Sequence, residues 1–139
     1  MVTPARALGL DLGSKRVGVA VTAGIVATPY EVVERGRSHA VDHARITTLI
    51  EETGATLVVV GLPFSLDGSK GPAARLVEAE VEELDVALPV PVETWDERFS
   101  TVTAHQSLRE QKMKADARRR VVDKVAAAVM LQSWLDARQ

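Results

Sequence analysis

The chain has 139 residues, 46% hydrophobic and 26% charged, with nine Gly and six Pro. That suits one soluble α/β domain over 1–139 and excludes collagen-like and disordered classes. It has no cysteine, which excludes a disulfide framework and a thiolate zinc site. No apolar run is long enough to span a bilayer and Met1 to Arg6 is too short for a signal peptide, so a cytoplasmic location without membrane contact is expected. The formal charge of −2 is unevenly spread. Lys112, Lys114, Arg118, Arg119, Arg120 and Lys124 crowd one stretch, and Glu78, Glu80, Glu82, Glu83 and Asp85 another, so a basic patch and an acidic helix are expected on different sides.

Ala7 to Leu12 and Arg16 to Thr22 read as two short strands joined by Gly13-Ser14-Lys15, a hairpin. Leu8, Leu10 and Leu12 share one face of the first strand, and Ala7, Gly9 and Asp11 the other. On the second, Val17, Val19 and Val21 oppose Gly18 and Ala20. One face is bulky, the other is small, and Asp11 stands on the small one. A third strand around Tyr30 to Arg35 follows Pro29. Ser38 is a predicted cap for a helix running to about Thr53, with Val41, Ala44, Ile46, Leu49 and Ile50 as its buried stripe and Gly54 as its stop.

Leu57-Val58-Val59-Val60, ended by Gly61 and Pro63, predicts a parallel strand covered on both faces in mid-sheet. The loop Phe64 to Gly71 leads through Pro72 into a helix with Leu76, Val77, Val81, Leu84 and Leu88 at helical spacing and the acidic cluster outside. Val90 to Trp95 predicts another strand, closing on Asp96-Glu97-Arg98, and Ser100 or Thr101 begins a shorter helix. Glu110 to Arg120, polar, basic and without apolar periodicity, reads as a mobile loop. The last helix, about Val121 to Ala137, is apolar on almost every side and must be largely buried. Three antiparallel strands followed by alternating helices and strands predict a mixed five-stranded sheet flanked by helices.

Asp123 is the odd residue of that last helix, because a buried carboxylate without a partner costs several kcal/mol. Ala126 and Ala127, one turn on, lie on roughly its side and would let the helix approach the small face that carries Asp11. Two carboxylates brought together repel unless a hard divalent cation, Mg²⁺ or Mn²⁺, resolves the repulsion. The third acid of such a set is Asp96 or Glu97, between which strand alternation does not choose. Structural roles compete for each: surface ion pairs for Asp96-Glu97-Arg98, turn capping for Asp11, and a dipole-favoured first-turn position for Asp123.

Gly9-Leu10-Asp11-Leu12-Gly13-Ser14-Lys15-Arg16-Val17-Gly18-Val19-Ala20, Val60-Gly61-Leu62-Pro63 with Asp67-Gly68-Ser69, Asp96-Glu97-Arg98-Phe99-Ser100-Thr101, and Asp123-Lys124-Val125-Ala126-Ala127-Ala128 with Leu131-Gln132 resemble the YqgF/RuvX family in order and spacing. The resemblance covers nearly the whole chain. It implies a ribonuclease H-like fold related to Holliday junction resolvases and a nuclease role in maturing the 5′ end of 16S ribosomal RNA. It also implies that the catalytic, metal-holding acids are Asp11, Glu97 and Asp123, with Mg²⁺ or Mn²⁺ as cofactor. Where the family often has Asn-Met before Asp67-Gly68, this chain has Ser65-Leu66.

In that frame Lys15, Arg16 and Arg98 would hold phosphates beside the acids, and Lys112, Lys114, Arg118, Arg119 and Arg120 would clamp the flanking backbone. The expected partner is nucleic acid, precursor ribosomal RNA or branched DNA, with ribosomal particles as a further partner. Monomer and homodimer are both compatible with the sequence, and paired cuts across a junction would favour the dimer. Two readings compete: a non-catalytic nucleic-acid-binding module, and an ATP-binding domain of the actin, sugar-kinase and chaperone type. The second needs two such domains, for which this chain lacks the length.

Overall fold

The computed structural model describes residues 6–65, 67–97 and 115–138, and of 115–120 the backbone alone. Five strands form one sheet in the order β3-β2-β1-β4-β5. Strands β1 (Ala7–Leu12), β2 (Arg16–Ala23) and β3 (Val26–Glu34) are an antiparallel meander, and β4 (Leu57–Leu62) and β5 (Val92–Asp96) add in parallel beside β1. This is the mixed five-stranded sheet expected. Helices α1 (His39–Thr53) and α2 (Pro72–Ala87) cover one face, and α3 (Ala115–Ala137) covers the other.

The two faces of the hairpin choose these partners. Leu8, Leu10, Val17, Val19 and Val21 enter the larger core with Ile46, Leu49 and Leu84, whereas Ala7 and Ala20 pack with Ala127, Met130, Leu131 and Trp134. Small residues on both sides bring the α3 backbone close to the sheet. Gln132 then fixes the far end of α3, accepting from the Ala27 amide at 2.7 Å and donating to the Ile25 carbonyl at 3.0 Å. Among the described residues, no helix is long and apolar enough to cross a membrane.

Several boundaries differ from expectation. Strand β3 begins at Val26, not near Tyr30, and carries Pro29 inside it beside a bulge at Val19/Ala20. An edge strand tolerates the missing N–H. Strand β4 runs on through Gly61 to Leu62, and β5 begins at Val92. Helix α3 begins at Ala115 rather than Val121, so the expected loop is helical over its last residues. Ala and Arg are strong helix formers that need no apolar stripe. The shorter helix placed at Ser100 or Thr101 lies outside the described residues.

The larger correction concerns α1 and α2. Ser38 caps α1 through the Val41 amide and Gly54 ends it in the left-handed region at φ 70°, both as expected. Yet Val41 is 53% exposed and Ala44 faces solvent, while Asp42 and His43 are buried. On α2, Leu76 is 74% exposed and Glu80, placed by sequence on the outer acidic face, is 4% exposed. The inward stripes therefore contain an ion network that hydrophobic periodicity does not detect.

Arg35, just past β3, is the centre of that network. It donates to both Glu80 carboxylate oxygens at 2.7 and 2.8 Å, to Asp42 at 3.2 Å and, through Nε, to the Gly13 carbonyl at 3.0 Å. His43 Nε2 lies 2.8 Å from Glu80, and the Gly36 amide donates to Asp42 at 2.7 Å. Burial pushes the Glu80 carboxyl up, but hydrogen bonds from Arg35 and His43 outweigh it and hold the group below its usual range. The network ties α1, α2 and the β1–β2 turn together.

Candidate active site

Asp11 lies near the end of β1, opposite Gly18 of β2 in the ladder. On the other side Leu10 pairs with Val60, which puts Gly61 of β4 beside Asp11. Each glycine makes room for another acid. A Cβ on Gly18 would land on the Asp123 carbonyl of α3, and one on Gly61 would land on the Glu97 carboxylate. The central aspartate is thus flanked by two bare strand positions, and the other two acids lie over them.

The choice between Asp96 and Glu97 follows from the same face. The Trp95 indole donates to Ser133 Oγ of α3 at 3.1 Å, so Trp95 points toward α3. Asp96 pairs with Leu62 and alternates to the opposite side, and Glu97, one residue past the strand, returns to the α3 side over Gly61. Asp11, Glu97 and Asp123 therefore gather on one side of the sheet.

Their electrostatics reflect that gathering. Burial, then the charge of Asp123, pushes the Asp11 carboxyl from 3.8 up to about 6. Burial, then Asp11 and Asp96, pushes Glu97 from 4.5 up to about 7. Asp123 is held differently: Arg16 Nε donates to its Oδ2 at 2.7 Å, with both side chains about a quarter exposed (22% and 28%). Because α3 starts at Ala115, Asp123 is two turns inside the helix, so a first-turn dipole role no longer accounts for it.

Arg16, expected on phosphate, thus makes its described contact with an acid of the set. Lys15 is exposed on the β1–β2 turn. Arg98, Lys112 and Lys114 lie outside the described residues, as do the side chains of Arg118, Arg119 and Arg120. Sequence reasoning missed the spacing function of Gly61, reading it only as a strand terminator. It also missed Arg35, whose anchoring of Gly13 fixes the turn two residues beyond Asp11.

The donor set of Asp11, Glu97 and Asp123 is all oxygen, which fits a hard divalent cation, and such a charge would lower the two raised carboxyls. A second group, His39, His43 and Glu80, has its ligand atoms within 4.8 Å of one another. That second group suits a cation poorly, since both Glu80 oxygens already accept from the Arg35 guanidinium.

The closeness of α3 gives a direct test. At Gly61 an added methyl meets the far end of the Glu97 side chain and Met130, which can yield, whereas at Gly18 it meets backbone. Gly18→Ala is therefore expected to lower stability by about 1–3 kcal/mol, and Gly61→Ala by less. Urea unfolding of both variants measures the difference.

Comparison with known proteins identifies the family and the fold. Residues 5–137 match the family described as RuvX: Holliday junction resolvase. A protein of Myxococcus xanthus named "Putative pre-16S rRNA nuclease" is 44% identical over 133 residues, covering 95% of this chain and 88% of that protein. One of Anaeromyxobacter sp. with the same name is 47% identical over 135 residues, covering 96% and 98%. In structure, RuvC of T. thermophilus in complex with a Holliday junction substrate superposes with a TM-score of 0.57 at 20% identity, over 97% of this chain and 96% of RuvC. That likeness identifies the fold as ribonuclease H-like. With nearly its whole length matched in sequence and its sheet shared with RuvC, the chain belongs to the RuvX family of nucleases.

Proposed function

We propose that this chain is a divalent-metal-dependent nuclease that hydrolyses phosphodiester bonds of structured nucleic acid, and that its task is 5′-end maturation of precursor 16S rRNA in the cytoplasm. The observation that supports this best is Asp11 between Gly18 and Gly61, with Asp123 and Glu97 over the two glycines. Asp11, Glu97 and Asp123 are the metal ligands in this reading, and Mg²⁺ or Mn²⁺ supplies an activated water and charge stabilisation at the phosphate. Arg16 orients Asp123 and limits the repulsion between the acids. Lys15, Arg98, Lys112, Lys114, Arg118, Arg119 and Arg120 hold the nucleic-acid backbone.

The RNA assignment draws on the name carried by the relatives. A second reading, resolution of four-way DNA junctions, draws on the family's description. One experiment separates them: purified protein with Mn²⁺ or Mg²⁺ is offered a precursor carrying the 16S 5′ leader and a four-way DNA junction. Cleavage of the leader alone is expected, junction cleavage alone would transfer the function to resolution, and binding without cleavage would mean a non-catalytic module.

Within the same assay, Glu97→Gln is expected to lose far more activity than Asp96→Asn, because only Glu97 returns to the α3 side. Equal losses, or the larger one at Asp96, would reassign the third ligand.

A further inference from the structure

A cavity of about 470 Å³ opens on the α1/α2 side of the sheet, between the β1–β2 turn and the first turns of α1 and α2. Leu12, Pro63 and Leu76 give it an apolar side, and Ser14, Arg37 and His39 a polar rim. Leu76 is 74% exposed there, which leaves an uncovered leucine at the mouth. The size lies within the usual range for small-ligand sites, and an apolar wall with a few polar groups is their usual character.

The acids in this wall are paired. Asp42 and Glu80 also line it, but both are committed to Arg35. Arg37 is exposed, and among the described residues neither its side chain nor that of Lys15 on the adjoining turn makes a hydrogen bond or ion pair. His39, by contrast, is held by Glu83 at 2.6 Å. The available charge is therefore positive and lies next to an apolar surface, a combination complementary to a nucleotide, whose flat base can be buried while its phosphate stays at the rim.

The cavity's place relative to Asp11 narrows the occupant further. Ser14 lies on the turn that follows β1, so the cavity opens at the end of the sheet where β1 delivers Asp11, on the opposite face from the three acids, and a strand reaching those acids round this turn would pass it. We propose that this cavity is a nucleotide subsite of the substrate strand: an unstacked base against Leu12, Pro63 and Leu76, its phosphate on Arg37 and Ser14. It rests on the nuclease reading given above. The subsite would select substrates with an unpaired nucleotide in the flanking strand, because a base within a duplex cannot enter without being extruded.

The test uses the full chain in EDTA, with nucleoside monophosphates, adenosine and inorganic phosphate as probes followed by NMR shifts and calorimetry. Monophosphates are expected to bind more tightly than either adenosine or phosphate. Leu76→Glu and Arg37→Glu, both at exposed positions, are each expected to weaken that binding about tenfold. On a long substrate they should raise KM by a similar factor and leave kcat within twofold. Monophosphates that bind no better than inorganic phosphate would remove the base from the proposal. Absent monophosphate binding, or binding and KM unchanged in both variants, would overturn the subsite altogether. Failure of the nuclease reading shows elsewhere, as wild-type turnover in Asp11→Asn, and leaves monophosphate binding in EDTA unaffected.

Discussion

Asp11→Asn is expected to abolish metal-dependent cleavage, a loss on the order of a thousandfold, since several kcal/mol of transition-state stabilisation would pass through a cation held there. Initial rates with Mg²⁺ and with Mn²⁺ measure it, and wild-type turnover in the variant would refute the site. The same variant should gain stability in EDTA. In the folded protein the Asp11 carboxyl is raised from 3.8 to about 6, so the folded state holds its proton more tightly than the unfolded chain does. The resulting penalty is absent below about pH 4, grows as pH rises and is complete above about pH 6. At roughly 1.4 kcal/mol per pH unit it approaches 3 kcal/mol. Asp11→Asn should therefore melt higher than wild type at pH 8 and close to it at pH 4. Glu97, raised to about 7, adds a second loss of wild-type stability between about pH 4.5 and 7. Added divalent cation should reverse both losses in wild type and leave the variant little changed.

Much of this site was legible because small residues and acids carry position. The alternation of Gly9 and Asp11 against Leu8, Leu10 and Leu12, with Gly18 and Ala20 opposite, marks the face that receives a close helix. Asp123, one turn before Ala126 and Ala127, marks the helix that fits it. Local alternation could not separate Asp96 from Glu97, since the strand ends there and the choice depends on where its neighbours point. The Trp95 contact with Ser133 and the pairing of Asp96 with Leu62 show which of the two faces the side of Asp11. Patterns failed at α1 and α2 for another reason. Asp42, His43 and Glu80 are buried at positions that hydrophobic spacing would fill with apolar residues, and Val41, Ala44 and Leu76 are left outside. A buried charge is stable only beside its partner, and Arg35 comes from a different element. No window of sequence along either helix contains that information. The early start of α3 was hidden in a similar way, since Ala115 to Arg120 form helix by propensity without an apolar stripe.

Arg35→Met should cost about 3–5 kcal/mol of folding stability, because it leaves Glu80 and Asp42 as buried anions without their cation. Chemical denaturation at neutral pH gives the value. The deficit has a pH signature. In wild type Glu80 lies below its ordinary value, so the stability it contributes is present above about pH 4.5 and fades as pH falls through its folded value. In the variant, burial without Arg35 pushes the same carboxyl up, which makes the protein less stable as pH rises. The gap between the two proteins is therefore widest near neutrality and narrows toward pH 4. Adding Glu80→Gln should recover part of the loss, and Asp42→Asn more, since an asparagine oxygen still accepts from the Gly36 amide. Even the restored triple variant lacks the Nε donor that holds the Gly13 carbonyl. Its Gly13 amide, bonded to the Arg16 carbonyl at 2.9 Å, should exchange with solvent faster than in wild type. Stability recovered with wild-type protection at Gly13 would show that Arg35 only neutralises the two acids and does not anchor the turn beside Asp11.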